Sequence, residues 1–254
     1  VVTEKSGQKV QSFELGRDGC VRNWLAHALN HPSATTIIIE TVERVLLPRF
    51  RDLPECSPKT PQPFEIGAWT TATTRHTWPP EWHIYRTFEV SLNALEMQRN
   101  PASTIRSNMA VNAPIDSRCA KFSHRRPDRF LYYSQDEDKF QWQDGDLARA
   151  AANILQLQEA ARARGKQFIL IVVPDKLSVY RKCLLSKAFP AGSDRNVSAS
   201  LIAAGVRSLD LLAAFQANAN RITDLYLPND THLSTNGYIL MGEKMAQFLS
   251  EKPL

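Results

Sequence analysis

The feature that most restricts the fold of this chain is a pair of continuous apolar runs, TTIIIE at residues 35–40 and QFILIVV at residues 167–173. Both are rich in β-branched residues and neither alternates with polar side chains, which is typical of strands buried on both faces of a parallel sheet. The second run follows residues 145–165, where apolar side chains recur at helical spacing before a terminating Gly165. A helix ahead of a buried strand predicts an α/β fold with a parallel sheet.

The composition fits one soluble globular unit. The 254 residues are 43% hydrophobic and 22% charged, enough for one sizeable α/β domain or for a domain with an insertion. No run of about 18 apolar residues occurs, and the first residues lack the basic, apolar and small-residue order of a signal peptide. The net charge of +5 is small for this length, so we expect no nucleic acid partner.

The four cysteines are widely scattered: Cys20, Cys56, Cys119 and Cys183. No CxxC pair and no Cys/His spacing suited to zinc occurs, so we expect no metal site. Two disulfides are possible, and the sequence leaves their pairing open.

The first residues indicate that the chain opens inside an α/β sheet. Residues 1–7 have the character of the last turn of a helix, and residues 8–15 have strand character. A Gly-Arg-Asp-Gly turn at residues 16–19 then leads into a helix with apolar residues at helical spacing from Val21. We expect a preceding strand and most of its helix to lie before Val1.

Residues 52–143 differ in character from the rest. Prolines interrupt the periodicity throughout much of this segment. We interpret it as an insertion or lid with little regular structure apart from a helix at 89–98 and an apolar stretch at 130–133. It either packs against the main domain or forms a sugar-stacking platform with the tryptophans Trp69, Trp78 and Trp82.

From residue 144 the α/β pattern returns. Helices are predicted at residues 195–204 and 209–218, around a short strand at 206–209, and a final amphipathic helix begins near Thr235.

Asp230 and His232 lie two residues apart in the loop before this final helix. A histidine that acts as general base needs a carboxylate to fix its tautomer and to stabilise the imidazolium, and this loop supplies both groups. The structural alternative is that Asp-x-His only caps the helix and bonds the backbone. No Gly-Asp-Ser and no Gly-x-Ser-x-Gly occurs, so two members of a possible triad are present without a nucleophile.

The strand at residues 167–173 ends at a Pro-Asp-Lys tripeptide, residues 174–176. These groups therefore lie at the carboxyl edge of a parallel sheet, where open α/β sheets bind their ligands. Lys176 either holds the loop by pairing with Asp175 or contacts an acidic substrate.

Two further charged groups have alternative interpretations. Glu43 and Arg44 follow the first apolar run and are interpreted as an internal ion pair that braces the site. A basic run is either a solvated face or an attractor for an anionic polymer; it comprises Arg118, Lys121, Arg125, Arg126 and Arg129.

Three of these motifs together resemble the SGNH-hydrolase-like domains of the alginate O-acetyltransferase (AlgX/AlgJ-like) group. They are the Pro-Asp-Lys strand end with Val-Tyr at 179–180, the 230–232 loop with Asn-Gly at 236–237, and Thr-Val-Glu-Arg at 41–44. The resemblance implies a three-layer α/β/α, flavodoxin-like parallel sheet. It implies a single domain over residues 1–254, truncated at its N-terminus, with 52–143 as the insertion.

The resemblance also implies a function. In this group the Asp and His of a DxH motif complete a Ser-His-Asp triad that moves acetyl groups on and off polysaccharide hydroxyls, so Asp230 and His232 take those roles. The implied setting is the periplasm or cell envelope, with a membrane-bound O-acyltransferase as acetyl donor. No metal or organic cofactor is implied.

The chain order departs from the alginate proteins, which place the DxH segment ahead of the serine block. Here the DTH loop comes last, as in ordinary SGNH hydrolases, whose serine follows the first strand. We therefore expect the serine to lie upstream of Val1. Gly16 and Gly19 then lie where SGNH proteins place an oxyanion-hole glycine, although making a turn is the usual role of glycine. Arg44 and Lys176 are expected to support the site.

Several alternatives stay open at this point. An acetyltransferase and an acetylesterase differ only in the acceptor that reaches the acyl-enzyme. A non-catalytic carbohydrate-binding module would use the tryptophan-rich segment instead. A metal-dependent hydrolase would use Asp230 and His232 as ligands and would need at least one more.

Overall fold

The protein has a parallel central sheet and a separate antiparallel sheet. The computed structural model describes residues 20–53, 99–100, 102–107, 109–124, 126–185, 189 and 194–251. Its strands are β1 (Thr36–Val42), β2 (Ile105–Arg106), β3 (Ala110–Pro114), β4 (Arg129–Tyr133), β5 (Gln167–Val173) and β6 (Ser208–Leu209). The central sheet has the order β1-β5-β6, with both pairs parallel, and the other sheet has the order β2-β3-β4.

Helices cover both faces of the central sheet. They are α1 (Val21–Asn30), α2 (Leu46–Phe50), α3 (Asp144–Arg162), α4 (Lys176–Tyr180), α5 (Val197–Ala203), α6 (Leu211–Asn218) and α7 (Thr235–Ser250). The predicted helices after residue 144 are confirmed, with boundaries that differ by up to three residues. Gly165 adopts a φ of +68°, the left-handed conformation that glycine tolerates best, so the predicted stop after α3 is confirmed.

Strand β5 is buried on both faces because successive side chains of a strand point in opposite directions. Ile169 and Ile171 pack into one core with α4, α6, α7 and the antiparallel sheet. Phe168 and Leu170 pack into a second core with α1, α2, α3 and α5. These two cores form the three-layer α/β/α arrangement that was expected.

The antiparallel sheet was not predicted. It lies within residues 52–143, where little regular structure was expected, and only the apolar stretch at 130–133 was recognised; it belongs to β4. The sheet is stabilised by Arg129, which is 3% exposed and donates to the side chain and carbonyl of Asn112 and to the carbonyl of Ser103. The proposed boundaries of the insertion stay a prediction.

A disulfide joins Cys119, in the loop after β3, to Cys183, which follows α4. Cys20 is also disulfide-bonded, and no cysteine in the described residues is free. The covalent link therefore connects the antiparallel sheet to the segment that follows β5.

Some predictions lie outside the described residues. They are the strand at 8–15, the turn with Gly16 and Gly19, the helix at 89–98 and the tryptophans Trp69, Trp78 and Trp82. Among the helices of the described ranges, none combines the length and the apolar character needed to cross a membrane.

Candidate active site

The candidate site lies at the carboxyl edge of the central sheet, where β1 and β5 end at the same level. Val42 is paired with Val173, so the residues that follow these two strands are neighbours. This register brings Glu43 and Arg44 beside Asp175 although they are more than a hundred residues apart in the chain.

Glu43 lies at the centre of a buried group of charges. Its Oε2 atom accepts hydrogen bonds from Lys139 Nζ at 3.0 Å, from the Asp175 backbone N–H at 3.0 Å and from the Ser178 hydroxyl at 2.5 Å. Lys139 Nζ also donates to Asp175 Oδ2 at 3.0 Å. Together with Asp136 and Arg44, these three charged residues form what we call the edge cluster.

Arg44 binds the opposite side of this cluster. Its NH1 group donates to Asp175 Oδ1 at 2.8 Å and to Asp136 Oδ1 at 3.5 Å, and its guanidinium lies over the ring of Tyr133. The prediction of a Glu43–Arg44 ion pair is therefore wrong. Consecutive side chains of a helical turn point in different directions, so each finds a partner elsewhere.

Asp136 and Lys139 were missed in the sequence. Their segment, SQDEDKFQ at residues 134–141, reads as a solvated polar run. Their partners in the cluster lie between 36 and 96 residues away, so no local pattern marks them. In the sequence, the predicted carboxyl ends of the parallel strands indicate where site residues lie. They identify only the residues that directly follow the strands.

The edge cluster contains three carboxylates and two cations, so one negative charge is not balanced within it. Asp136 is fully buried and its Oδ2 atom has no hydrogen-bond partner. Burial, and then the nearby Asp175 carboxylate, raise the pKa of Asp136 to about 8. A proton on Asp136 would make the cluster neutral.

Replacing Asp136 by asparagine should therefore change how stability depends on pH. Between the ordinary pKa of 3.8 and about 8, the folded state holds a proton that the unfolded chain releases, so this contribution to stability is lost as pH rises towards 8. We expect the free energy of unfolding of D136N to match that of the wild type near pH 5 and to exceed it above pH 8 by on the order of 4 kcal/mol, measured by urea unfolding.

The exposed neighbour Asp138 provides the matched control. The free energy of unfolding of D138N should depend on pH in the same way as that of the wild type. If the free energies of unfolding of wild type and D136N changed in parallel between pH 5 and pH 9, Asp136 would be ionised in the folded protein.

Lys176 is also buried, at 1% exposure. Its Nζ atom donates to the carbonyl oxygens of Leu227, Pro228 and Asp230 at 2.9, 3.2 and 2.9 Å. Burial lowers the pKa of Lys176 to about 7, and the Asp230 carboxylate opposes this shift. The predicted partner Asp175 is wrong, but the predicted role of holding a loop agrees with the bonds to these carbonyls. The burial of Lys176 disfavours the alternative of contact with an acidic substrate.

The loop held by Lys176 carries the predicted pair of side chains. His232 Nδ1 lies 2.8 Å from Asp230 Oδ1, and the same oxygen accepts the backbone N–H groups of Thr231 and His232. Partial burial raises the pKa of Asp230, but the hydrogen bonds from His232 and Thr231 outweigh it, so the net pKa lies below the ordinary value. An ionised Asp230 fixes the tautomer with the proton on Nδ1, which leaves Nε2 free to accept a proton.

The His232 side chain is 70% exposed and that of Asp230 is 49% exposed. In the part of the chain that the structure describes, no serine hydroxyl lies within hydrogen-bond distance of the His232 ring. No group of three or more described His, Cys, Asp or Glu residues is placed to hold a metal ion.

The loop enters α7 through a cap that does not involve Asp230. The Ser234 hydroxyl accepts from the N–H groups of Asn236 and Gly237, so the interpretation of Asp230 as the helix cap is wrong. The Asn236 side chain donates to the Thr223 carbonyl at 2.8 Å. A Cβ atom on Gly237 would lie 2.1 Å from the Leu225 carbonyl oxygen, so only glycine allows α7 to approach this closely.

Three members of the basic run are paired or buried, and Arg125 lies outside the described residues. Arg118 pairs with Asp116 and Arg126 pairs with Asp128, while Arg129 is buried in the antiparallel sheet. These pairs disfavour the interpretation of the run as an attractor for an anionic polymer.

The residues of the edge cluster, Lys176 and the Asp230–His232 loop lie mainly in the C-terminal half. A family model described as "SGNH hydrolase-like domain, acetyltransferase AlgX" matches residues 127–254. The chain belongs to this AlgX family. No curated protein and no solved structure matches the chain significantly.

The AlgX match contains two of the three motifs that carried the resemblance, residues 174–176 and 230–232, in one continuous stretch. Residues 41–44 lie outside it. The match begins within the segment assigned to the insertion, so residues 127–143, with β4 and Lys139, lie within the family domain. Family membership supports a role of the acetyltransferase or esterase type.

Proposed function

We propose that this protein is an O-acetyltransferase or O-acetylesterase that acts on polysaccharide hydroxyls by Ser-His-Asp acyl transfer. The observation that carries the proposal is the 2.8 Å contact between His232 Nδ1 and Asp230 Oδ1, in a loop at the ligand-binding edge of an AlgX-family domain. The carboxylate orients the ring, and the opposite nitrogen is free for proton transfer.

The proposed nucleophile is a serine outside the described residues. His232 Nε2 removes its proton as its oxygen attacks the acetyl carbonyl, and Asp230 stabilises the resulting imidazolium. The imidazolium then protonates the leaving oxygen, which gives an acyl-enzyme. In the second step His232 takes a proton from the acceptor hydroxyl, whose oxygen attacks the acyl carbonyl. The bond to the serine oxygen then breaks, the imidazolium returns the proton to that oxygen, and the acetyl group stays on the acceptor.

The acceptor decides between the two activities. A sugar hydroxyl gives a transferase, and water gives an esterase. The proposed acetyl donor is a membrane-bound O-acyltransferase partner, and the proposed location is the periplasm or cell envelope. The Cys119–Cys183 disulfide supports that location, because disulfides persist in oxidising compartments and are rare in the cytosol.

A fluorophosphonate probe tests the proposal because it labels serines that an adjacent base activates. In the full-length protein we expect one serine to be labelled, as found by peptide mass spectrometry, and we expect labelling to fall sharply in H232A. The position of the labelled peptide tests the expectation that the serine precedes Val1. Absence of serine labelling would contradict the triad and favour a non-catalytic carbohydrate-binding module, and equal labelling in H232A would show that another base activates the serine.

A further inference from the structure

Lys176 is unusual because it is buried and, among the residues that the structure describes, no carboxylate lies within hydrogen-bond distance of its Nζ atom. It begins α4, directly after the end of β5, and its Nζ atom lies 5.0 Å from the centre of the Phe122 ring and 5.2 Å from that of Phe130. Such a cation costs free energy unless its donors are satisfied. The aromatic faces offset part of that cost.

The three donors of Lys176 match three acceptors on one short segment. A lysine ammonium has three N–H groups, and those of Lys176 are directed to the carbonyls of Leu227, Pro228 and Asp230. The Leu227 carbonyl also accepts from the Asp230 N–H at 3.2 Å, so Lys176 adds to a turn that the backbone already forms. The ammonium therefore fixes the course of the chain just before His232.

Asp230 links this contact to the dyad. Its carbonyl oxygen accepts from Lys176, while its side chain accepts from His232 Nδ1. A rotation of the backbone at Asp230 would therefore change both contacts. Two further hydrogen bonds hold the other side of the loop, from the N–H of Leu227 to the His232 carbonyl and from the N–H of Ser234 to the Leu225 carbonyl.

We propose that Lys176 is a positioning residue that holds the Asp230–His232 dyad in its working geometry by binding the backbone of residues 227–230. This inference rests on the proposed function of the dyad. Lys176 does not touch the substrate, since it is buried beneath the loop. Its effect on the reaction passes through the placement of His232.

Lys166 provides a matched control. Its Nζ atom also holds a loop through backbone carbonyls, those of His31 at 2.6 Å and Ala34 at 2.7 Å. Lys166 precedes β5 and its acceptors precede β1, so this contact lies at the amino edge of the sheet. The same substitution at the two lysines therefore separates loss of a lysine–carbonyl contact from loss of dyad geometry.

The experiment compares K176M, K176R and K166M in the full-length protein, with an aryl acetate as substrate and hydrogen exchange of the Leu227 and Ser234 amides. We expect K176M to lower kcat by about 10- to 100-fold with KM changed less than twofold, and to speed exchange at both amides. K176R keeps the charge with a different geometry. Its kcat and its exchange rates should lie between those of wild type and K176M. K166M should change neither kcat nor exchange at these amides.

The two readouts separate failure of this inference from failure of the proposed function. If H232A retains activity, the dyad is not catalytic, and the exchange data still report whether Lys176 orders the loop. A folded K176M with wild-type kcat, in a protein that H232A inactivates, would overturn the positioning role. If K176M does not fold, K176R provides the test. A wild-type kcat in K176R would equally overturn the positioning role of Lys176.

Discussion

Replacing His232 by alanine is expected to lower kcat/KM for hydrolysis of an aryl acetate by about 10³- to 10⁴-fold, the range that a positioned general base supplies. The structure gives the physical reason: Asp230 holds the ring so that only Nε2 faces outward to accept a proton. Without the ring, water must act as base, and the attacking serine stays protonated.

Replacing Asp230 by asparagine should have an effect of similar size. An amide is uncharged, so it stabilises the imidazolium poorly, and its NH₂ group favours the tautomer with the proton on Nε2, which cannot act as base. Since the two residues act as a unit, the double variant should be little worse than either single variant. Additive losses would indicate that they act separately.

His31 is the matched control for these kinetics. It lies in the loop ahead of β1, at the amino edge of the sheet, and H31A should keep kcat/KM within about twofold. Wild-type activity in H232A would remove the dyad from the mechanism, whereas absence of turnover in the wild type itself would favour the carbohydrate-binding module.

The second large effect concerns stability. Removing the Cys119–Cys183 disulfide in a Cys119→Ala, Cys183→Ala double variant is expected to lower the free energy of unfolding by about 4 kcal/mol, as loop-closure entropy predicts for a separation of 64 residues. Urea unfolding at neutral pH measures it. The cross-link limits the unfolded chain and ties the antiparallel sheet to the segment after α4, so its loss should also speed unfolding.

The double variant is preferable to a reductant because Cys20 is disulfide-bonded as well and reduction would break both bonds. Cys183 is buried, so part of the loss will come from its packing. A loss below about 1 kcal/mol would mean that the unfolded chain is already compact around this pair.

Strand β5 of the central sheet was predictable from its own residues. In β1, buried positions alternate with partly buried or exposed ones, so the expected burial on both faces is not found there. A strand buried on both faces must be apolar at every position, and residues 167–173 satisfy that condition without reference to the rest of the chain. The final helix was predictable for a similar reason, since its start at Thr235 follows a serine cap. The antiparallel sheet was not predictable in this way, because β3 contains Asn112 and Pro114, which ordinarily weigh against a strand.

Part of the candidate site was predictable from the sequence and part was not. Asp230 and His232 are two residues apart, so local spacing was sufficient to predict their contact. The edge cluster depends on β1 and β5 ending at the same level, and Lys139 joins it from a polar segment 36 residues before Asp175. The contacts of Lys176 were the hardest to predict from the sequence, since its acceptors are backbone carbonyls, which no side-chain pattern reveals.

The order of Lys176 and its acceptors in the chain has a consequence for biosynthesis. The carbonyl groups that receive its hydrogen bonds are made 51 to 54 residues after it. Until they arrive, the ammonium must stay hydrated, since burial without acceptors is costly, so water occupies the space beside Phe122 and Phe130 in a nascent chain. A chain stopped before residue 227 keeps that opening and exposes core surface to chaperones and proteases. Closure of this part of the core and assembly of the His232 loop are therefore coupled.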